Sequence, residues 1–393
     1  MFSWLRCRSL AGPLFALVAG MTMIARAVPL PAVSDVFVGG REGFAVYRIP
    51  SVLATRDGSL LAFAEARATK SDQSRNQLVV KRSRDAGVSW EPLRVVTGDG
   101  IASLNNPTAV LVRETGRILL MYQRYPPGLR EGSVVPGLAG TNVCTSWLVY
   151  SDDDGVTWSP PRDLTAAVKR PTGATSLASG PGIGIQLQRG PHAGRILIPF
   201  NQGPPRQWRV YAAWSDDQGA TWQRGDPAPD AGRGHGNEVQ FVELTDGSVL
   251  LNARNEGGDR QRKTALSRDG GRTWSALADE PQLPEPVCQA ALIRHPDRST
   301  PGREVLLFAN PGTRTGRTNG TVRLSRDDGR TWPWSAVIYP GSFAYSGLVS
   351  LPDGAVGCLF ERDNYDRISW CRFTLDRLAG AAGAAVTPGA SNR

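Results

Sequence analysis

The chain has 393 residues, with 45 Lys and Arg against 36 Asp and Glu, a formal net charge of +9 and a pI near 9.7. That balance favours anionic surfaces or substrates in general, but no lysine-dense patch or nucleic-acid reader motif accompanies it, which argues against a nucleic-acid partner. Three histidines, His192, His235 and His295, lie far apart without metal-ligand spacing, so neither metal catalysis nor any other cofactor is expected.

Residues 1–27 read as an export signal. Met1 to Arg8 is basic, Ser9 to Ile24 is mostly apolar, and Ala25-Arg26-Ala27 forms a small-x-small cleavage site. The apolar stretch is too short and interrupted for a confident membrane span, an uncleaved anchor being the competing reading. No other window is apolar enough, so the expected protein is soluble and secreted or periplasmic. Residues 28–378 read as one domain and 379–393, rich in Ala and Gly, as a flexible tail; a monomer is expected. Cys144, Cys288, Cys358 and Cys371 are too few for a disulfide framework, although a bridge between Cys358 and Cys371, on strands joined by a turn near Asn364, stays open.

An eight-residue pattern, Ser-x-Asp-x-Gly-x-x-Trp, recurs five times at intervals of roughly 50–70 residues, beginning at Ser83, Ser151, Ser215, Ser267 and Ser325. Each copy reads as a turn: the Asp accepts backbone N–H groups, the Gly takes φ > 0, and the Trp offers an apolar plate to bury. Ser151-Asp152-Asp153-Asp154-Gly155 resembles the opening of a calcium loop but lacks the closing Glu, and the other copies lack the acidic run. Strand–turn–strand hairpins recur independently over Val52 to Phe63, Ala109 to Tyr122, Gly184 to Phe200, Gln240 to Ala253, Ala291 to Phe308 and Leu348 to Phe360. Five are followed by a further strand and the Trp turn. The pattern predicts an all-β, six-bladed β-propeller of four-stranded antiparallel blades, the sixth completed by Asp35 to Val38.

Strand alternation puts all Trp turns on one face and the starts of the first strands on the other. There fall Tyr47-Arg48-Ile49-Pro50, Asn105-Asn106-Pro107, Asn237-Glu238 and Ala344-Tyr345-Ser346, with Glu65-Ala66-Arg67, Asn252-Ala253-Arg254 and Glu361 at second-strand exits and Asp72 and Arg317 in the loops beyond. Arginines converging on one rim suit a carboxylate or phosphate, because the guanidinium fork donates two parallel hydrogen bonds. His235, just before Glu238, is a candidate for the pocket edge.

These motifs, with the five Trp turns (the Asp boxes), Gly180-Pro181-Gly182-Ile183-Gly184 and Leu251-Asn252-Ala253-Arg254, resemble those of the sialidases, the exo-α-sialidase or neuraminidase family of six-bladed propellers. The resemblance covers essentially all of the chain beyond the leader. It implies that Arg48, Arg254 and Arg317 grip the carboxylate of sialic acid, Arg314 and Arg323 being nearby competitors for the third place. It further implies that Arg67 lines the pocket, Tyr345 is the nucleophile, Glu238 its base, Asp72 the acid/base on the leaving oxygen, and Glu361 a brace for Arg48; Asn106 is a candidate for the N-acetyl or glycerol pocket. A tyrosine nucleophile suits a sugar whose anomeric carbon bears a carboxylate, since it approaches without like-charge repulsion. Asp72 must hold a proton, so partial burial is expected to raise its pKa. The implied activity is hydrolysis of terminal α-linked sialic acid from glycans, glycoproteins or glycolipids, with retention through a glycosyl-tyrosine. Alternatives are a trans-sialidase, a hydrolase of a related nonulosonic acid, or a non-catalytic carbohydrate-binding propeller.

Overall fold

The computed structural model describes Met1 and residues 29–381; the leader and the tail from 382 lie outside the described residues. Six units follow one another, each starting at the axis. Blade I is Val46–Ala54, Leu60–Arg67, Asn76–Ser83 and Arg94–Thr97; blade II is Ser103–Leu111, Ile118–Tyr125, Thr145–Ser151 and Arg162–Asp163. In blade III an interrupted inner strand precedes Ile196–Gln202, Arg209–Ser215 and Gln223–Arg224. Blade IV is His235–Glu243, Val249–Glu256, Gln261–Ser267 and Ala278–Pro284; blade V is Ala291–Pro296, Glu304–Pro311, Thr318–Ser325 and Trp334–Ser342. Blade VI is Ser346–Ser350, Val356–Arg362 and Arg367–Phe373, completed by Val33–Val38, which pairs antiparallel with Arg367–Phe373. Blades I and II join into one continuous sheet through a single parallel pair, Asn76 with Ser103. A helix, Leu375–Ala381, follows the last strand, and no helix among the described residues is long and apolar enough to cross a membrane.

The first two strands of a blade are buried throughout rather than on alternate residues, as in Leu60–Arg67, every residue of which is buried. Both their faces are covered by neighbouring blades, so no solvent face exists to carry polar residues. Six apolar clusters result, one per interface, among them Leu61, Phe63 and Val80 of blade I against Leu120 and Val149 of blade II. The ring closes where Val349, Leu359 and Trp370 of blade VI meet Tyr47, Val52 and Val79 of blade I.

The Asp boxes all join third to fourth strands, and they do more than turn the chain. Within each, the Ser hydroxyl donates to the Asp and accepts the Gly N–H, as at Ser151, where these distances are both 2.8 Å. The Gly lies at φ +77° in this box, and a Cβ there would stand 2.6 Å from Leu61 of the preceding blade. Trp90 likewise meets Trp370 of blade VI edge-on at 5.7 Å, and Trp158 meets Phe63 of blade I at 5.7 Å. The box is therefore a clip onto the preceding blade. In the acidic copy Asp153 is bound by Ser151, Val156 and Thr157 within its own turn.

One expectation needs correction. The inner strand of blade III begins at Leu177, before the expected Gly184: Leu177–Ser179 and Ile185–Gln186 pair with Ile196–Gln202, while Gly182–Ile183 leaves to pair in parallel with Thr108 and Ala109 of blade II. That detour crosses the axis, where the Pro181 carbonyl accepts Gln240 and Gln289 side-chain amides at 3.0 and 3.2 Å and the Gly182 carbonyl accepts Ser51 at 2.6 Å. Cys144, Cys288, Cys358 and Cys371, the cysteines among the described residues, are free and buried; Cys358 and Cys371 face each other in register without a bridge.

Candidate active site

Three inner strands slip register where they reach the face opposite the clips: between Arg48 and Ser51, Asn105 and Thr108, and Gly236 and Val239. Such bulges re-aim side chains. Ile49 and Asn106 sit within them at φ +60° and +51°, each followed by a proline whose missing N–H falls in the bulge and costs no ladder bond. A β-branched residue in the left-handed region is an outlier that the surrounding structure must enforce. The bulges open into a cavity of about 420 Å³.

Arg48, Arg67, Asp72, Asn106, Glu238, Arg254, Arg317 and Tyr345 all line this cavity, drawn from blades I, II, IV, V and the start of blade VI. Glu361 lies beneath it, fully buried, and accepts Arg48 Nε at 2.6 Å and the Ile49 N–H at 2.8 Å. Tyr345, at the start of the inner strand of blade VI, donates its hydroxyl to Glu238 and accepts Arg254 Nη1 at 3.1 Å. The same Arg254 nitrogen reaches the other Glu238 oxygen at 2.9 Å. The guanidinium carbons of Arg48 and Arg317 stand 5.3 and 5.4 Å from the centre of the Tyr345 ring. Burial, then the Glu238 charge, push the Tyr345 phenol well above 10; Arg254 and Arg317 oppose them. The phenol is therefore protonated at neutral pH and has its proton acceptor already in contact.

Asp72 stands on a loop whose geometry is fixed from below. Its carbonyl accepts Asn76 at 2.7 Å and Asn105 at 2.8 Å, and its carboxylate accepts Arg67 Nη1 at 2.7 Å, with Arg48 at 3.7 Å. Arg67 is buried and paired with the fully buried Glu65, which also accepts the Asn106 N–H at 2.7 Å. The expected rise in the Asp72 pKa is not what this environment produces. Burial does push it up, but Arg67, Arg48 and Arg317 outweigh burial and hold the carboxyl below its ordinary 3.8.

Arg317 reaches the cavity and its two competitors do not: Arg314 is exposed on the carbonyls of Asp259 and Arg260, and Arg323 is buried against Asn310. His235 does not line the cavity; its ring bonds Asp230 at 3.0 Å. Asn106 lines it, with its backbone rather than its side chain bonded to Glu65 and Ser179.

Sequence reasoning named Asn237 on this rim but missed Gln73, Glu131, Asn201, Trp208 and Glu256, which also line the cavity. Asn237 donates to Glu256 at 2.8 Å and accepts Asn201 at 2.7 Å. Burial, followed by the charges of Glu256, Glu238 and Asp72, raises the Glu131 carboxyl to about 7. Tyr365, in the hairpin turn of blade VI, was missed too. Glu131, Trp208 and Tyr365 come from loops and turns, which carry no periodic signal; Asn237 was visible beside Glu238.

Residues 52–358 match the family of the BNR repeat-like domain. The chain is 37% identical over 386 residues to a sialidase of Micromonospora viridifaciens, a similarity covering 94% of this chain and 58% of that protein. It is 31% identical over 360 residues to sialidase-2 of Rattus norvegicus, covering 84% of this chain and 92% of the other. The chain thus spans less than two thirds of the bacterial relative and nearly all of the mammalian one. Among solved structures it is similar to the Hadza microbial sialidase Hz136, with a TM-score of 0.79 and 30% identity over 88% of this chain and 69% of that one. An intramolecular trans-sialidase from Ruminococcus gnavus, 21% identical with a TM-score of 0.78 over 90% of this chain and 99% of its own, shares the fold. A repeat match that runs from blade I into blade VI, and shared residues along almost the full length of a relative, carry one conclusion: the chain belongs to the sialidase family of glycoside hydrolases.

Proposed function

We propose that this protein is an exo-α-sialidase that removes terminal α-linked sialic acid from glycans, glycoproteins or glycolipids, with retention through a covalent bond to Tyr345. The observation that carries the reading is the contact of the Tyr345 hydroxyl with Glu238 and Arg254, beside the guanidinium groups of Arg48 and Arg317.

In this reading the substrate carboxylate lies among Arg48, Arg254 and Arg317, which places the anomeric carbon over the Tyr345 oxygen. Glu238 takes the phenol proton as that oxygen attacks, so a neutral nucleophile meets an anionic sugar. The carbon–oxygen bond to the leaving sugar breaks, and Asp72 gives its proton to the departing oxygen. Water then attacks the anomeric carbon, Asp72 takes a proton from it, and the tyrosine–sugar bond breaks as Glu238 returns the phenol proton. The depressed Asp72 pKa fits this cycle in one way. A bound carboxylate offsets the charge of Arg48 and Arg317, which together with Arg67 otherwise hold Asp72 ionised, so occupancy itself favours the proton the acid must carry. The reading extends to an exported monomer cleaved after Ala27, supported by the basic, apolar and small-residue order of the leader.

The test is a slow-reacting fluorinated sialosyl donor followed by peptide mass spectrometry. The expected adduct is on Tyr345, and Tyr345→Phe should fold normally while losing at least about 10³-fold in kcat on a fluorogenic sialoside. Wild-type turnover without a Tyr345 adduct, or full activity in the Phe variant, would sink the mechanism. Retained sialoside binding with no turnover in the wild type would favour a carbohydrate-binding propeller instead.

A further inference from the structure

The three arginines of the site are not held alike. Arg48 is paired with Glu361 and Arg254 with Glu238, but Arg317 makes no ion pair among the described residues. Its guanidinium donates instead to two uncharged oxygens, the Tyr365 hydroxyl and the Val287 carbonyl, each at 3.1 Å. The Tyr365 ring also lies under Arg48, with the guanidinium carbon 4.1 Å from the ring centre, and it packs on Ile49, Cys288, Ala344 and Tyr345.

The backbone bringing Tyr365 there is strained. Asp363, Asn364 and Tyr365 run consecutively at φ +52°, +54° and +70°. Asp and Asn are common in the left-handed region; Tyr is not, and each such residue costs free energy that a glycine would not. Strain of this kind persists where surrounding contacts enforce it, and it clusters at functional sites.

We propose that Tyr365 is a positioning residue of the carboxylate site: it orients Arg317 through its hydroxyl and Arg48 through its ring, and leaves the charge of Arg317 unneutralised for the ligand. A carboxylate in the same place would hold Arg317 equally well and cancel the charge the substrate needs. This inference rests on the functional reading above.

The test compares wild type with Tyr365→Phe, which keeps the ring and the turn but removes the hydroxyl. KM for a sialoside should rise about 10-fold with kcat within about twofold, the size expected for one hydrogen bond to a charged group. Binding of 2,3-didehydro-2-deoxy sialic acid should weaken by a similar factor, while its C1 alcohol, which lacks the carboxylate, should bind both proteins equally. Tyr365→Leu, which also removes the ring beneath Arg48, should weaken carboxylate binding further. An unchanged KM, a loss confined to kcat, or equal losses for acid and alcohol would each overturn the proposal. A wild type that neither binds nor turns over any sialic acid derivative would overturn the functional reading, and this inference with it.

Discussion

Arg67 and Asp72 are five residues apart in sequence and 2.7 Å apart in space, so the acid of the proposed reaction rests on a buried cation. The residue types at this rim were readable; the sign of the Asp72 shift was not, because sequence separation says nothing of guanidinium distance. The consequence is measurable. With Asp72 held ionised at neutral pH in the free protein, kcat/KM on natural sialosides should climb as pH falls below 7. Asp72→Ala should keep the loop, since Asn76 and Asn105 grip the backbone carbonyl rather than the side chain. It should lower kcat on sialyllactose by about 10²–10⁴-fold, and by only about 10-fold on an aryl sialoside whose nitrophenolate leaves without a proton. Equal losses on the two substrates would remove Asp72 from the role of general acid.

The Asp boxes show what a repeated element conveys and what it conceals. Their turn chemistry was legible from four letters in eight, but the clip onto the preceding blade was not, since Leu61 beside Gly155 and Trp370 beside Gly87 are remote in sequence. Each box carboxylate is bound within its own turn, which has a consequence for acid stability. At Asp85 the Ser89 hydroxyl and N–H lead in lowering the pKa to about 2. At Asp153 slight burial pushes upward, but Thr157, Ser151 and Val156 outweigh it and the value again falls to about 2. Asp217, Asp269 and Asp327 shift the same way. A carboxyl depressed in the folded state adds stability that is whole above its unfolded pKa, 3.8, and is lost as pH falls through the folded value. Denaturant midpoints should therefore hold from pH 7 to about 5 and drop between about pH 4 and 2. Asp153→Ala should cost about 1–3 kcal/mol at pH 7, leave sialoside turnover unchanged, and flatten part of the acid decline. A mutant with the wild-type acid profile would show that the box carboxylates do not set it.

At the scale of the ring, six blades were readable from the two independent repeats, and so was the blade completed by the N-terminal strand. The inner strand of blade III was not, because Gly180 to Gly184 carries neither alternation nor a long apolar run and spends its backbone bonds on blade II and the axis. Closure matters because a propeller left open exposes two apolar blade faces at once. Here the closing piece is a single six-residue strand, Val33–Val38, held to Arg367–Phe373 by its ladder and by Asp35, which accepts Arg362 at 2.6 Å and Ser369 at 2.8 Å. Phe37 is its apolar anchor: fully buried, 5.3 Å from the Tyr47 ring and 5.5 Å from Lys81 Nζ, it ties blade VI to blade I. Phe37→Ala should therefore cost about 3–5 kcal/mol, a large share of the 5–15 kcal/mol typical of a folded domain. If the closed ring unfolds as one unit, the denaturant midpoint falls while the slope m stays constant, since the same surface is exposed. A second transition, or a reduced m, would mean that blade VI opens by itself and that the other blades stand without it. An unmoved midpoint would show that the N-terminal strand merely covers an edge that needs no cover.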